Sequence, residues 1–597
     1  MDFNTIILLI VLAFILIALY TEFIGTAFTF IIAVGILGIF NILTPQEILS
    51  GFANEQVAII IMLLLLGEII RETAVIERAF DAVYKKNKPY KGFMFRIMST
   101  TAFFSAFLNN TPLVAVMMPY VNSWGKKNKV APSKLLIPLS FAAILGGSTT
   151  LIGTSTNLIV NGLVKDQTLF PEFTRLHLFE FAYVGLPMLI IGFAYILFFG
   201  YKLLPSKKGE RDNLLTNRKY IVEALIRPGS KLIGKTIEEA NLRNLDGLFL
   251  VEIIRGNIVL PAVSPNTVLL ENDLLYFAGE TEKIADLVSG NNGLTFPQVG
   301  MLKKKIHTQV IEVVISHNST LINKTVKEAR FRSKYDAAII AIHRNGEKVS
   351  GKIGEVKLKA GDVLLLLAGE DIASRADIYD FYFISKVKEM QKIPAYKTAI
   401  LLTGTVLAIA LSALHFISLF NALLILFVVI LSIGVVSPKD IHKKIDLNLA
   451  GIIALSLALG TAMIKTGVAS MLADDIILVS KPLGVVGVFF VLYFITTVLA
   501  AFITNKAAVA IMFPIAIATA YNLHVTPVPF ALLIAYAAAA NFMTPIGYQT
   551  NLMIYGPGGY TFKDFFRIGF PLTIIYMIVA VIILYYVYIV KIFGNIP

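Results

Sequence analysis

Hydrophobic positions run almost unbroken over 5–20, 24–43, 54–72, 134–163 and 178–200, thin out between about Lys202 and Gln391, and return over 397–413, 418–436, 447–466, 527–555 and 570–590. Runs of this length cross the ~30 Å hydrocarbon layer of a bilayer as helices. Two more apolar stretches, 92–121 and 484–521, carry polar tips in their middles, FLNNTPL and FITNKAA, and predict re-entrant hairpins. The intervening segment alternates apolar and polar positions over short distances, with Gly and Asn turns, which predicts strands and short helices outside the bilayer. The expected fold is a polytopic α-helical membrane protein. It has two membrane repeats, 1–201 and 392–597, each of five transmembrane helices plus one hairpin, and an α/β insert between them. Five is odd, so the halves enter the membrane from opposite faces, which makes them inverted repeats.

Composition agrees: 56% of the 597 residues are hydrophobic and 15% are charged. The opening MDFNTIILLIVLAFILIALY has no Lys or Arg ahead of its apolar run and reads as a retained first span, not a signal peptide. Cysteine is absent, which excludes disulfides, thiolate metal ligands and cysteine nucleophiles. With the N-terminus set outside, sixteen Lys and Arg fall in the loops of the inner face; Lys165, Arg175, Lys465, Lys481 and Lys591 fall in those of the other. That asymmetry predicts a multi-pass protein of the cell (inner) membrane with residues 202–391 cytoplasmic and both termini extracytoplasmic. Topology thereby accounts for much of the net charge of +13, and no nucleic-acid partner is expected.

The halves repeat in detail. TTAFFSAFLNNTPLVAVMMP (100–119) aligns with TTVLAAFITNKAAVAIMFP (496–514), pairing Asn110 with Asn505 and Pro119 with Pro514. STTLIGTSTNLI (148–159) aligns with FMTPIGYQTNLM (542–553), pairing Thr150 with Thr544, Gly153 with Gly547 and Asn157 with Asn551. Inside hydrocarbon a non-helical NNT or TNK is tolerated only where it lines a wet cavity or binds something. Helices that restart at such tips offer unpaired N–H groups to an anion and free carbonyls to sodium. Pro112 suits the first turn of a restarting helix, where its missing N–H costs nothing. The competing reading is that these polar residues are loop ends or ordinary interhelical hydrogen bonders; matched positions in both halves argue against it.

FLNNTPLVAVMMP and FITNKAAVAIMFP resemble the paired Ser-Asn-Thr tips of the divalent anion:sodium symporters, and the likeness spans both membrane halves. The resemblance implies a homodimer in which a transport domain carrying both hairpins slides as an elevator against a scaffold. It further implies a small inorganic or dicarboxylate anion as substrate, with sodium as coupling ion and no organic cofactor. Carried over by position, the first sodium site involves Ser105, Asn109, Asn110 and the backbone at Gly153, and the second Asn505 and Gly547. The anion meets Asn110, Thr111, Asn505 and Lys506, with Thr154 and Gln549 close by.

Three departures matter. TSTN and YQTN, ending in Asn157 and Asn551, lack the prolines of the dicarboxylate branch and look more like the sulfate-transporting branch. Ala500 stands where a sodium-binding hydroxyl is expected, and Lys506 where the second tip should show Thr. A lysine beside an emptied sodium site supplies permanent positive charge and pairs with an anion such as sulfate. The competing reading has Lys506 snorkelling to water.

The insert is itself duplicated, 229–257 matching 318–346 and 271–280 matching 359–370, which divides it into domains at 202–300 and 301–391. Its octet GSKLIGKT, Gly229 to Thr236, has the spacing of a phosphate-binding loop. In the second copy both glycines become Asn318 and Asn323 while Lys324 and Thr325 remain. A flexible phosphate cradle is therefore not what the repeat keeps, and copies of this size lack the parallel βα units such a loop needs. They resemble the regulator-of-potassium-conductance C-terminal (RCK-C) modules, which implies a small regulatory ligand or a dimer contact. The functional expectation is a sodium-coupled importer of sulfate or a related divalent anion, not an enzyme. The alternatives are a dicarboxylate transporter of the same fold and an anion-sensing receptor that retains it.

Overall fold

The computed structural model describes residues 2–21, 24–71, 73, 89–206, 394–414, 416–436 and 447–590, and within the insert 221–242, 245, 248–256, 258–261, 266–279, 294–295, 309–316, 319–335, 337–344, 347–349, 353–368 and 380–383. Lys591 and Asn318 lie outside the described residues. The N-terminal half comprises α1 (Phe3–Thr21), α2 (Thr26–Ile39), the short α3 (Pro45–Ser50), α4 (Glu55–Arg71), α5 (Tyr90–Ser105), α6 (Asn110–Lys127), α7 (Leu136–Gly147), α8 (Ser155–Asp166) and α9 (Ala182–Leu203). The C-terminal half comprises α11 (Ala395–Ala413), α12 (Leu419–Ser432), α13 (Leu447–Lys465), α14 (Val468–Ser480), α15 (Gly484–Phe502), α16 (Asn505–Asn522), α17 (Val528–Ala539), α18 (Gln549–Tyr555) and α19 (Phe562–Leu584).

Among the described residues six helical stretches are long and apolar enough to cross a membrane, or up to seven if the pair Asn110–Lys127 and Pro132–Gly147, bent by 117°, counts as one span. The hairpins turn where the polar tips stand, between α5 and α6 and between α15 and α16. The runs 134–163 and 527–555 are each cut into two helices, with breaks between Gly147 and Ser155 and between Ala539 and Gln549. α7 is buried at every position and α17 from Pro529 onward, as helices that are apolar all round should be. Both breaks therefore begin from the centre of the protein. α14 was not expected: the chain turns at Thr466 and Gly467 and resumes a helix where the apolar pattern alone suggests a connection to the hairpin.

The insert forms two antiparallel sheets. The first comprises β1 (Ile221–Ile226), β2 (Leu248–Arg255), β3 (Ile258–Pro261), β4 (Leu274–Gly279) and β5 (Leu294–Thr295), in the order β3-β2-β4-β1-β5. The second comprises β6 (Gln309–Ile315), α10 (Phe331–Tyr335), β7 (Ala337–Arg344), β8 (Glu347–Lys348), β9 (Val363–Ala368) and β10 (Phe381–Phe383), with strands in the equivalent order β10-β6-β9-β7-β8. Each sheet repeats one pair at matching places, a half-buried arginine on a buried aspartate: Arg255 with Asp273, and Arg344 with Asp362, both held by two hydrogen bonds of 2.8–2.9 Å.

Period-two alternation decides which way the second sheet faces. Val313, Leu364 and Leu366 point into the module's own core. Val314 and Val363, direct cross-strand partners, point the other way and join the core of the helical body. There Val363 meets Gly556, just beyond α18, and Gly361 faces Leu552 within it.

The octet resolves into ordinary turn chemistry. Thr236 and Glu239 cap each other's backbone N–H at 2.8 and 3.2 Å, as Thr325 and Glu328 do at 2.8 and 3.1 Å. Gly234 and Asn323 both adopt positive φ, 83° and 64°, a conformation that glycine and asparagine tolerate best. With antiparallel strands around it and turns, not a helix, directly after it, the Lys-Thr start is a capped turn and not a phosphate cradle.

Candidate functional site

The first hairpin tip is built from three helix starts that meet at one hydroxyl. Asn110 is the first residue of α6, Thr154 is the N-cap of α8 and Tyr548 is the N-cap of α18. Asn110 Nδ2 donates to Tyr548 Oη at 2.6 Å, and Thr154 Oγ1 lies 3.2 Å from the same oxygen. Next to it Thr111 Oγ1 donates to Gln549 Oε1 at 3.1 Å. The first N–H groups of each helix lack intrahelical acceptors, so this junction concentrates donors and positive dipole ends where an anion is attracted.

The other side of Asn110 is made of oxygen. Ser105 Oγ lies 2.6 Å from Asn110 Oδ1 and 2.7 Å from the Ala143 carbonyl, and its single proton can satisfy only one of them. A β-carbon on Gly147 would stand 2.5 Å from Asn110 Oδ1 and 3.0 Å from the Gly153 carbonyl. One on Gly153 would stand 2.4 Å from the Gly147 carbonyl and 2.9 Å from that of Ser105. Neutral hydroxyl, amide and carbonyl oxygens crowded at a helix break suit a desolvated monovalent cation. Asn109 takes another part: its side chain accepts from the Thr111 N–H at 3.3 Å and caps α6.

The break itself is tied down. Thr150 Oγ1 donates to the Ala106 carbonyl, the Gly153 N–H donates to Thr150 Oγ1 at 3.2 Å, and Asn157 Nδ2 donates to the Thr150 carbonyl at 2.8 Å. The second break repeats two of these bonds, from Gly547 N–H to Thr544 Oγ1 at 3.2 Å and from Asn551 Nδ2 to the Thr544 carbonyl at 3.3 Å, while Thr544 Oγ1 donates to Asn541 Oδ1 at 3.3 Å. Ser140 on α7 bonds Thr550 Oγ1 and Asn551 Oδ1 at 2.8 and 2.7 Å, which stitches α18 to the other half.

At the second tip Thr504 caps α16 by accepting from the Ala507 N–H at 3.2 Å, and α16 packs against α8. Asn505 Oδ1 is buried without a hydrogen-bond partner. Lys506 is half-buried at the head of α16. The structure thus brings Ser105, Asn110, Thr111, Gly153, Thr154 and Gln549 together around the first tip, with Asn505, Lys506 and Gly547 belonging to the second tip and break. Sequence reasoning missed Tyr548 and Gly147. Tyr548 could have been found from its alignment with Thr154, and Gly147 lies one residue before the aligned block.

Buried polar clusters at interrupted helices, set among spans of membrane length, define a multi-pass membrane transporter and not an enzyme. The citrate transporter family, CitMHS, matches residues 7–429 and again 417–596. A Chlamydomonas reinhardtii protein named "Putative sulfur deprivation response regulator" is 32% identical over 559 residues, covering 91% of this chain and 94% of that one. An uncharacterized transporter of Synechocystis sp. is 31% identical over 607 residues, with 98% of each chain covered. Sodium/sulfate cotransporter 2 of Chlamydomonas reinhardtii is 25% identical over 787 residues, covering 96% of this chain and 88% of that one. The chain belongs to the citrate transporter family and is an anion transporter.

Proposed function

We propose that this protein is a sodium-coupled importer of a divalent oxyanion, with sulfate as the preferred substrate. The observation that carries the reading is the double engagement of Asn110. One amide atom faces the Ser105–Gly147–Gly153 oxygens, where sodium binds, and the other faces the Tyr548 junction of helix starts, where the anion binds. A cation at the first position neutralises charge beside the second, so each ion favours the other's binding. Thr111, Thr154, Gln549, Asn505 and Lys506 complete the anion site in this reading, with the Lys506 ammonium replacing charge that a second sodium would bring. The halves act as inverted repeats, 1–201 and 392–597, in a homodimer, with both termini extracytoplasmic. The two sheets, divided at 202–300 and 301–391, act as cytoplasmic RCK-C-like regulatory domains.

Sodium/sulfate cotransporters among the relatives support sulfate, and the citrate name of the family keeps a carboxylate in play. The experiment is uptake of labelled sulfate by purified protein in liposomes under an inward sodium gradient, competed with thiosulfate, molybdate, succinate and citrate. Sodium-driven sulfate accumulation blocked by thiosulfate is the expected result; accumulation of citrate or succinate instead reassigns the substrate and leaves the site standing. The regulator name of one relative favours a second reading, a receptor that binds the anion and signals through the sheets. Saturable sulfate binding with no accumulation selects it.

A further inference from the structure

Asn541 stands in the second half where Gly147 stands in the first, by the same register that pairs Gly153 with Gly547. In the first half the bare face of Gly147 looks onto the Asn110 carboxamide, Oδ1 nearest, and the Gly153 carbonyl. In the second half that face carries a carboxamide. Asn541 is fully buried, and its Nδ2 lies 1.9 Å from where a β-carbon on Gly547 would stand, with Thr544 Oγ1 2.9 Å from the same point. Nδ2 has no hydrogen-bond acceptor, and Asn505 Oδ1 has no donor. The Asn541 carboxamide, its Oδ1 already accepting from Thr544 Oγ1 at 3.3 Å, thus fills from its Nδ2 side a space that the first half leaves open between Asn110 Oδ1 and the Gly153 carbonyl.

The hydroxyl has moved as well. Ser105 reaches both Asn110 and the Ala143 carbonyl. In the second half Ala500 has no hydroxyl to offer, and Thr497, about one turn earlier on α15, donates at 3.0 Å to the Ala537 carbonyl, which aligns with that of Ala143. The structural bond is kept, but its oxygen no longer sits level with the tip asparagine. Two independent changes, one removing a ligand and one filling the room, act on the same position.

We infer that the Asn541 carboxamide occupies the place a second sodium would take, so that the protein carries sodium at the first tip alone. The inference rests on the reading of that first tip as a sodium site. Its test is the amount of ²²Na bound at saturation by the purified full-length chain in equilibrium dialysis, with sulfate as the anion probe. The expected count is about one per chain, falling to none in Ser105→Ala, and rising to about two in the Ala500→Ser/Asn541→Gly double variant. In liposomes the Hill coefficient for sodium in that variant should rise from about one towards two. Two ions on the unaltered chain, or an unchanged count in a double variant that elutes as folded protein, overturns the inference and leaves the first site intact. No sodium on the unaltered chain, or an ion that survives Ser105→Ala, overturns the reading of the first tip and the inference with it. Should the double variant fail to fold, the counts on the unaltered chain and Ser105→Ala decide alone.

Discussion

The two hairpin tips have the same frame and different chemistry. Each ends one helix, caps the next with a short polar side chain and opens it on an asparagine, Asn110 or Asn505. At the first tip that asparagine is held at both ends, by Ser105 and Tyr548; at the second its carbonyl has no partner. Both halves keep what the backbone needs, namely the caps and the Thr–Gly–Asn ties across each break. The oxygen set that is free to serve ligands diverged.

The hardest way to break the comparison is Asn110→Ala. It leaves Ser105 and Tyr548 facing a gap at the centre of both proposed sites, and a buried polar group left unpaired costs about 1–3 kcal/mol. Uptake should fall by roughly 100-fold or more. Ser105→Ala makes the first tip resemble the second; sodium affinity should drop by roughly 100-fold or more with the protein still folded, so that no ²²Na is bound at the concentration that saturates the unaltered chain. Tyr548→Phe removes only the hydroxyl shared by Asn110 and Thr154, and kcat/KM for the anion should fall by about tenfold, an effect of ~1.4 kcal/mol. Lys506→Thr tests the second tip from the anion's side: half-saturating sulfate should rise roughly fivefold while Ser105-dependent sodium binding persists. Unchanged anion affinity there removes Lys506 from the site.

The smallest expected effect lies outside the membrane. Burial works to raise the Asp380 pKa, yet hydrogen bonds from Tyr335, Lys334 and Thr320 outweigh it and hold the carboxyl below its ordinary value of 3.8. A depressed folded-state pKa means that its stabilisation is present above pH 3.8 and fades as pH falls below it through the folded value. Hydrogen exchange over 319–335 should therefore accelerate in acid, and Asp380→Asn should reproduce that loosening at neutral pH with uptake little changed.

Much of this was legible in the sequence, because the constraint is severe. Polar triplets inside apolar runs announce a break whatever surrounds them, so the tips at 109–111 and 504–506 and the interruptions near Gly153 and Gly547 could be placed without coordinates. The period-two segments gave the strands for the same reason of pattern. Tyr548 was legible only through its alignment with Thr154. An aromatic in an apolar stretch reads as packing, and only the meeting of α6, α8 and α18 turns its hydroxyl into a hub. Asn541 lies just outside the aligned motif, and its meaning comes from the face that Gly147 leaves bare in the other half. α14 was missed because a tight reversal after Lys465 leaves no mark that hydropathy can detect.

The Val314–Val363 pair gives the insert a rigid seat. Val363 rests against Gly556, just beyond α18, Gly361 faces Leu552 about one helical turn from Gln549, and the first sheet meets the second along β4 and β7. Tyr382 of β10 also packs on the helical body and β10 meets α6, so a push on the second module would arrive beside α6 and α18, two of the helices that meet at Tyr548. A wedge as small as Gly556→Leu at that seat should uncouple the modules from the membrane body while sparing every ligand-facing atom.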